Sequence, residues 1–307
     1  MAVDRLVAGY NLLLVVVWGV LLPRAPYAAW IFSAHLAVVG LPWLLSRAGD
    51  RLTAFGRGLR DIYPLLLIGG YWSELGLIRH LLHASNHDAP IAALDRAVFG
   101  VHLNVVWMPG MPQVWFSEAM HGVYFGYYLL IFLPPIVVGM MGRTAAFRDM
   151  VFRLLVTYIG CYLVFIFFPV DGPRHTMEPY AGALTDGFLY RLVHGAMDAG
   201  DSLGTAFPSS HVAGAVTIAF LGFRWLGPRV ATLFAVEAVG VVLATVYTQN
   251  HFAIDSMVGV GFALVLQIVV VPALQRALQP AGGPTPSSLP SFAPEPVPAR
   301  AANGGPP

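Results

Sequence analysis

Residues 208–255 read PSSHVAGAVTIAFLGFRWLGPRVATLFAVEAVGVVLATVYTQNHFAID. Two apolar runs, 209–226 and 230–248, flank a turn that carries Arg224 and Arg229. A helix of about 20 mostly apolar residues spans the hydrocarbon core of a bilayer. At about 1.5 Å per residue the stretch predicts one crossing and one return. His211 and His251, 40 residues apart, then lie at the same face of the membrane.

The same pattern extends outward. Apolar runs at 6–22, 27–45, 62–82, 115–141, 151–169 and 253–274 complete a set of eight expected spans. The fold class is therefore an all-α polytopic transmembrane helical bundle, read as a six-helix catalytic core plus two N-terminal spans. The first run follows a short charged start like a signal peptide, but a second apolar run follows at once, so a retained helix is expected. We divide the chain into N-terminal spans and an Arg-rich loop (1–61), a membrane domain (62–276) and a Pro- and Ala-rich tail (277–307) expected to be disordered. No internal repeat is visible.

Composition agrees. Of 307 residues, 57% are hydrophobic and 11% charged, against about 25% charged in soluble domains. Mean hydropathy is +0.69. The net charge of +1 lacks the basic cluster that tracking nucleic acid demands. The lone Cys161 excludes an internal disulfide and a Cys-based metal site. All 17 basic residues are Arg. Nine of them gather in the 46–61 and 142–150 loops, the 222–229 turn and just after the last span, which assigns those to the cytoplasm together with both termini. Loops 83–114 and 170–208 are richer in acids and fall outside. Short loops and the absence of organelle signals suit a bacterial inner (plasma) membrane.

Three polar clusters share that outer face: Asp171-Gly172-Pro173-Arg174-His175, Pro208-Ser209-Ser210-His211, and Asn250-His251 with Asp255. His251 and Asp255 are four apart and share a helical face. A carboxylate there holds one ring nitrogen as N–H and leaves the other as nucleophile or base. His211 starts a helix, where free N–H groups and the dipole favour a phosphate, and the Ser209 and Ser210 hydroxyls add donors. Arg174 can clamp phosphate oxygens with two parallel N–H bonds. Two histidines suit a two-step transfer, in which one attacks phosphorus and the other protonates the departing oxygen.

Other polar residues have simpler readings. His83 and His87 stand at metal-ligand spacing without a matching third ligand. Glu74 and Glu237 look intramembrane. Tyr124, Phe125, Tyr127 and Tyr128 read as helix packing and interface anchoring. In 90–105, Ile91, Leu94, Val98 and Val101 recur on one face with Asp95 and Arg96 opposite, which predicts a short interfacial helix.

Pro208-Ser209-Ser210-His211 and His251-x3-Asp255 resemble the second and third signatures of the type 2 phosphatidic acid phosphatase superfamily, and Arg174 resembles the Arg of its first. The Phe168-Pro169 to Gly172-Pro173-Arg174 segment, the Ala244–Thr248 lead-in to His251 and Asp95–Gly100 look most similar to its inositol phosphorylceramide synthase-like branch. The resemblance covers roughly 60–275. It implies that His251 is the nucleophile and forms a phosphohistidine, that Asp255 orients it, and that His211 protonates the leaving oxygen. Arg174, Ser209 and Ser210 would bind the phosphate, with no metal or other cofactor. The chain departs from the superfamily in having no Lys, and Ala244-Thr245 where Ser-Arg is usual. His175 is a candidate to supply part of the missing charge. The expected function is lipid phosphotransfer from a lipid phosphate to an acceptor lipid. The alternatives are a lipid phosphate phosphatase, acting on phosphatidic acid or a polyprenyl diphosphate, and a non-enzymatic transporter. The transporter lacks the paired broken spans that such folds display.

Overall fold

The computed structural model describes residues 2–48 and 51–278. The tail expected to be disordered lies, from 279 onward, outside the described residues. The remainder is helical, with no strand among the described residues beyond a single parallel bridge between Val170 and Thr205.

The helices are α1 (Ala2–Leu21), α2 (Ala28–Ala48), α3 (Ala54–Leu82), α4 (Asp88–Phe99), α5 (Leu103–Gly110), α6 (Val114–Met140), α7 (Thr144–Phe167), α8 (Pro173–Thr176), α9 (Phe188–Gly200), α10 (Ser210–Trp225), α11 (Pro228–Tyr247), α12 (Ala253–Val265) and α13 (Val271–Ala277). A π turn, Leu266–Val270, joins the last two into one rod. Each of the eight expected apolar runs is a helix. By length and composition α1, α2, α6, α7, α11 and the α12–α13 rod can each cross a membrane. The other two runs are α3, which carries Arg57, Arg60, Asp61, Glu74 and Arg79, and α10, with 16 residues. The protein is an integral membrane helical bundle.

At the centre stands α7, buried along nearly its whole length from Ala146 to Ile166. It packs against α3, α6 and α10, and against α1. Lipid tails are as apolar as Leu, so close packing and internal hydrogen bonds, rather than expulsion from water, hold such helices together. The hairpin of α10 and α11 turns at Gly227, whose φ of 85° suits glycine, followed by Pro228 at the first helical position. At its base Asp149 of α7 accepts from the Arg224 Nε and Trp225 Nε1 groups at 2.9 and 2.8 Å, and from Arg153 of its own helix.

The first two helices are fastened by a buried polar network. Glu74 accepts from Trp18 Nε1 (2.6 Å) and pairs with His35 Nε2 (2.9 Å). His35 Nδ1 meets Asn11 Oδ1 at 2.8 Å, and Asn11 donates to Tyr71. The intramembrane acid read from the sequence is thus a joint between α1, α2 and α3. Glu237, the other, faces Gly126 across an apolar groove between α6 and α11.

The 90–105 stretch corrects an expectation. It forms α4 and the start of α5, bent by 59°. Asp95 does not face outward: it is fully buried, while Leu94, Val98 and Val101 are exposed. Its carboxylate accepts the Ile254 N–H at the start of α12 (3.1 Å) and pairs with His102 (2.9 Å). A helix start leaves N–H groups unpaired, and an acid satisfies one of them there. That reward turns Asp95 inward, while Arg96 stays exposed.

Candidate active site

Three chain segments meet at one end of the bundle. The first, Phe168–Gly172, follows α7. Asp88 holds it, accepting the Asp171 and Gly172 N–H groups at 2.9 and 2.7 Å. Gly172 has a φ of 87°, and a Cβ there would lie 2.7 Å from that of Ala206. Only glycine lets the two loops pass this closely. The second segment, 201–209, is tied to the first by the Val170–Thr205 bridge. The third, Thr248–Phe252, follows α11, and the Asn250 and His251 N–H groups both donate to Thr245 O. Gly259 of α12 brings the second and third together: a Cβ there would lie 2.8 Å from Ser209 O. The Ser209 N–H donates to Asp255 O at 3.1 Å.

This architecture places His211 and His251 side by side, ring centroids 5.6 Å apart and nearly perpendicular. Both rings and Arg174 line one small cavity of about 20 Å³, with Trp72, Asp201 and Asn250. His251 Nδ1 lies 3.0 Å from Ala206 O. A carbonyl can only accept, so Nδ1 carries the proton and Nε2 has a free lone pair. Asp255 is 3.6 Å from Nδ1, beyond a hydrogen bond. Its Oδ2 instead accepts the Phe252 N–H at 2.9 Å at the start of α12, and Oδ1 is buried without a partner. The backbone of Ala206 orients His251. Asp255 sits behind it, fully buried.

Two phenols cradle His211. Tyr124 and Tyr128 of α6 place their hydroxyls 3.1 and 3.3 Å from Nε2, leaving Nδ1 unpaired. Sequence reading assigned these tyrosines to packing. Their i, i+4 spacing was the available signal, but their partner lies 87 and 83 residues away.

The other expected phosphate ligands stand elsewhere. Ser209 is fully buried as the cap of α10, its Oγ accepting the Val212 N–H at 3.4 Å. Ser210 lines a neighbouring cleft rather than the cavity. A hydroxyl at a cap position is drawn to the helix's own unpaired N–H groups. Arg174 does reach the cavity, but with carboxylates attached: it pairs with Asp198 and approaches Asp201 at 3.5 Å. Asp198 is largely exposed, so that pair costs little to exchange for another anion. His175 donates to Asp201 at 2.8 Å and does not itself line the cavity. Asp201 was missed as a site residue. Burial pushes its carboxyl up, but the bonds from His175 and the Ser202 N–H, with the Arg174 charge, outweigh this and hold it below the usual range. Asp171, also on the cavity wall, is matched by Arg79 at 3.0 and 3.2 Å. His83 and His87 engage the carbonyls of Ile166 (2.7 Å) and Pro169 (3.3 Å), so this pair clasps the first loop.

A larger cleft of about 320 Å³, between α3, α6, α7 and α9, adjoins the cavity. The two share Trp72, Met197, Asp201 and His211. Aromatic rings dominate the cleft, among them Phe125, Phe132, Tyr158 and Tyr162.

The membrane bundle thus brings two histidines and an arginine to one cavity, with an aromatic cleft beside it. The PAP2 superfamily model matches residues 89–269, and the chain belongs to that superfamily, whose activities are of the lipid phosphatase and phosphotransferase type. The matched stretch holds Arg174, His211, His251 and Asp255 and leaves α1–α3 outside. No curated protein matches the chain. No solved structure matches it.

Proposed function

We propose that the protein is a lipid phosphotransferase of the inositol phosphorylceramide synthase type, working through a phosphohistidine. The observation that carries this reading is the junction of the His211–His251–Arg174 cavity with the aromatic cleft. The polar end suits a phosphate and the cleft suits the lipid attached to it.

His251 Nε2 attacks phosphorus, and the bond from phosphorus to the lipid oxygen breaks. His211, through the Nδ1 that its tyrosines leave free, gives that oxygen a proton. An acceptor hydroxyl then attacks phosphorus, its proton passes to His211, and the phosphorus–nitrogen bond breaks to restore His251. Arg174 leaves the exposed Asp198 to hold the phosphate oxygens, aided by the N-terminal dipole of α10. Asp255 stabilises the positive charge that develops on His251. Residues 62–276 form the catalytic domain. The Arg-bearing turns lie at the other end of the helices, which supports an extracytoplasmic site in a bacterial inner membrane.

The test uses purified protein, a lipid phosphate labelled at phosphorus, and a ceramide-like acceptor. Label should be trapped on wild-type protein and on His211→Ala, and be absent from His251→Ala, whose turnover falls by about 10³-fold or more. Turnover that survives His251→Ala refutes the mechanism. Release of free phosphate regardless of acceptor replaces transfer by hydrolysis.

A further inference from the structure

Tyr124 and Tyr128 stand one turn apart on α6, and both hydroxyls meet a single nitrogen, His211 Nε2, at 3.1 and 3.3 Å. Both also meet the sulfur of Met197 on α9, at 3.4 and 3.5 Å. Two phenols, one imidazole and one thioether thus form a cluster in which Tyr124 and His211 are 0% and 6% exposed. The phenol between them in the sequence takes no part. Tyr127 packs its ring on His211, centroids 4.6 Å apart, but its hydroxyl is engaged by Tyr158 (2.6 Å) and Ser210 O (3.4 Å).

The supply of hydrogens assigns Nε2. Thioether sulfur has none to give, so each hydroxyl donates to Met197. A hydroxyl has one proton. With that proton on sulfur, its oxygen can only accept from Nε2. A bare lone pair at Nε2 could take only one of the two hydroxyl protons, whereas one N–H can be shared between two oxygens. Nε2 therefore carries the hydrogen and Nδ1 the lone pair.

This tautomer suits the chemistry proposed for His211. A proton given and retrieved through Nδ1 takes the ring from cation to neutral and back, and the Nε2 hydrogen stays in place throughout. The phenol oxygens satisfy that N–H in both states. The cation gains more, because a hydrogen bond to an ionised group is about twice as strong as a neutral one. The other charged or titratable groups about the ring are His251, Arg174 and Asp201 in the cavity, with Tyr127 and Tyr158 in the cleft.

We infer that Tyr124 and Tyr128 are positioning residues for His211: they hold its Nε2 hydrogen, with their own protons on Met197 sulfur, and so confine proton transfer to Nδ1. The inference rests on the proposed phosphotransfer. It adds that the phenols are redundant, since either oxygen alone can accept the N–H, and that Met197 acts through them.

Nitrogen NMR of full-length protein carrying isotope-labelled histidine, in detergent, tests the assignment without any turnover. The His211 signals, identified by their loss in His211→Ala, should show a protonated Nε2 and a bare Nδ1 in the neutral ring. A bare Nε2 overturns the inference and leaves the phosphotransfer reading standing. Kinetics test the role. Tyr124→Phe and Tyr128→Phe should each lower kcat by less than about threefold, and the double variant by about tenfold or more, because the bond to the charged ring is lost only when both oxygens go. That loss disfavours the cation, so kcat of the double variant should fall off on the basic side at a pH about one unit lower. Met197→Leu keeps the volume but frees the hydroxyl protons to turn on Nε2. It should shift the profile in the same direction, and have no such effect when both phenols are Phe. Single losses that multiply to the double loss, an unshifted profile in the double variant, or a Met197→Leu shift that persists without the hydroxyls overturns the inference. The labelled wild type decides the assignment even where the double variant fails to fold. A protonated Nε2 in a protein that turns over no lipid phosphate refutes the phosphotransfer, and the positioning role falls with it.

Discussion

Replacing Asp255 by Asn separates two roles that one carboxylate could play beside a catalytic histidine. If it orients the ring, the variant loses geometry. If it supplies only field, geometry survives and the charge is lost. Ala206 O holds Nδ1 at 3.0 Å, whereas Asp255 lies 3.6 Å away. The amide oxygen of Asn can still accept the Phe252 N–H that Asp255 accepts at 2.9 Å. Fold and ring orientation should therefore persist. A full unit charge 3.6 Å from a carboxylate gains about 4.6 kcal/mol at an effective dielectric of ~20. With about half that charge developed on His251 in the transition state, the loss is ~2.3 kcal/mol, or roughly 50-fold in kcat. KM should change little if the interaction is made only as charge develops in the transition state. The assay is steady-state transfer in proteoliposomes, with thermal unfolding measured on the same preparations. A loss in kcat under threefold would show that the carboxylate is not felt at His251. A large loss of thermal stability would show that the helix start depends on the charge. Either result refutes the reasoning.

Ser209→Ala removes the cap of α10 and should cost about 1 kcal/mol of stability, seen as a lower Tm, with KM for the lipid phosphate within twofold. A tenfold rise in KM would return that hydroxyl to the phosphate. Stability should also fall in acid through Asp201. Its folded pKa lies below the ordinary Asp value, so its contribution is fully present above that value and is lost as pH falls through the depressed one. Unfolding of wild type and Asp201→Asn between pH 2 and 6 reads this: the variant should have the shallower acid slope, and identical slopes would contradict it.

The hairpin that returns His251 to His211 was legible because it depends on local quantities, namely apolar run length and helical rise. So was the neighbourhood of His251 and Asp255, although His251 precedes α12 and does not share a helical face with Asp255. Its meaning was not legible. The oxygen that orients His251 belongs to the backbone of Ala206, which has no side-chain signature in the sequence. Ser209 and Ser210 were read as ligands because their residue types suit phosphate; the structure shows Ser209 capping α10 by accepting the Val212 N–H, a partner that residue type alone does not announce. Asp95 misled for a similar reason: amphipathic spacing sorts residues by polarity, and cannot know that another helix offers an N–H to the polar face. Tyr124 and Asp201 depend on contacts between distant segments that no periodicity announces.

The bond network at Asp149 has a mechanical consequence for the chemistry at the other end. With 16 residues α10 is a rod about 24 Å long. Its foot is pinned through Arg224 and Trp225, and its head carries His211. A tilt of about 5° at the foot sweeps the head by roughly 2 Å, and a misplacement of about 1 Å can cost 10²-fold in rate. Bilayers of different thickness tilt such rods. Membrane thickness thereby becomes a control on the distance between the two imidazoles.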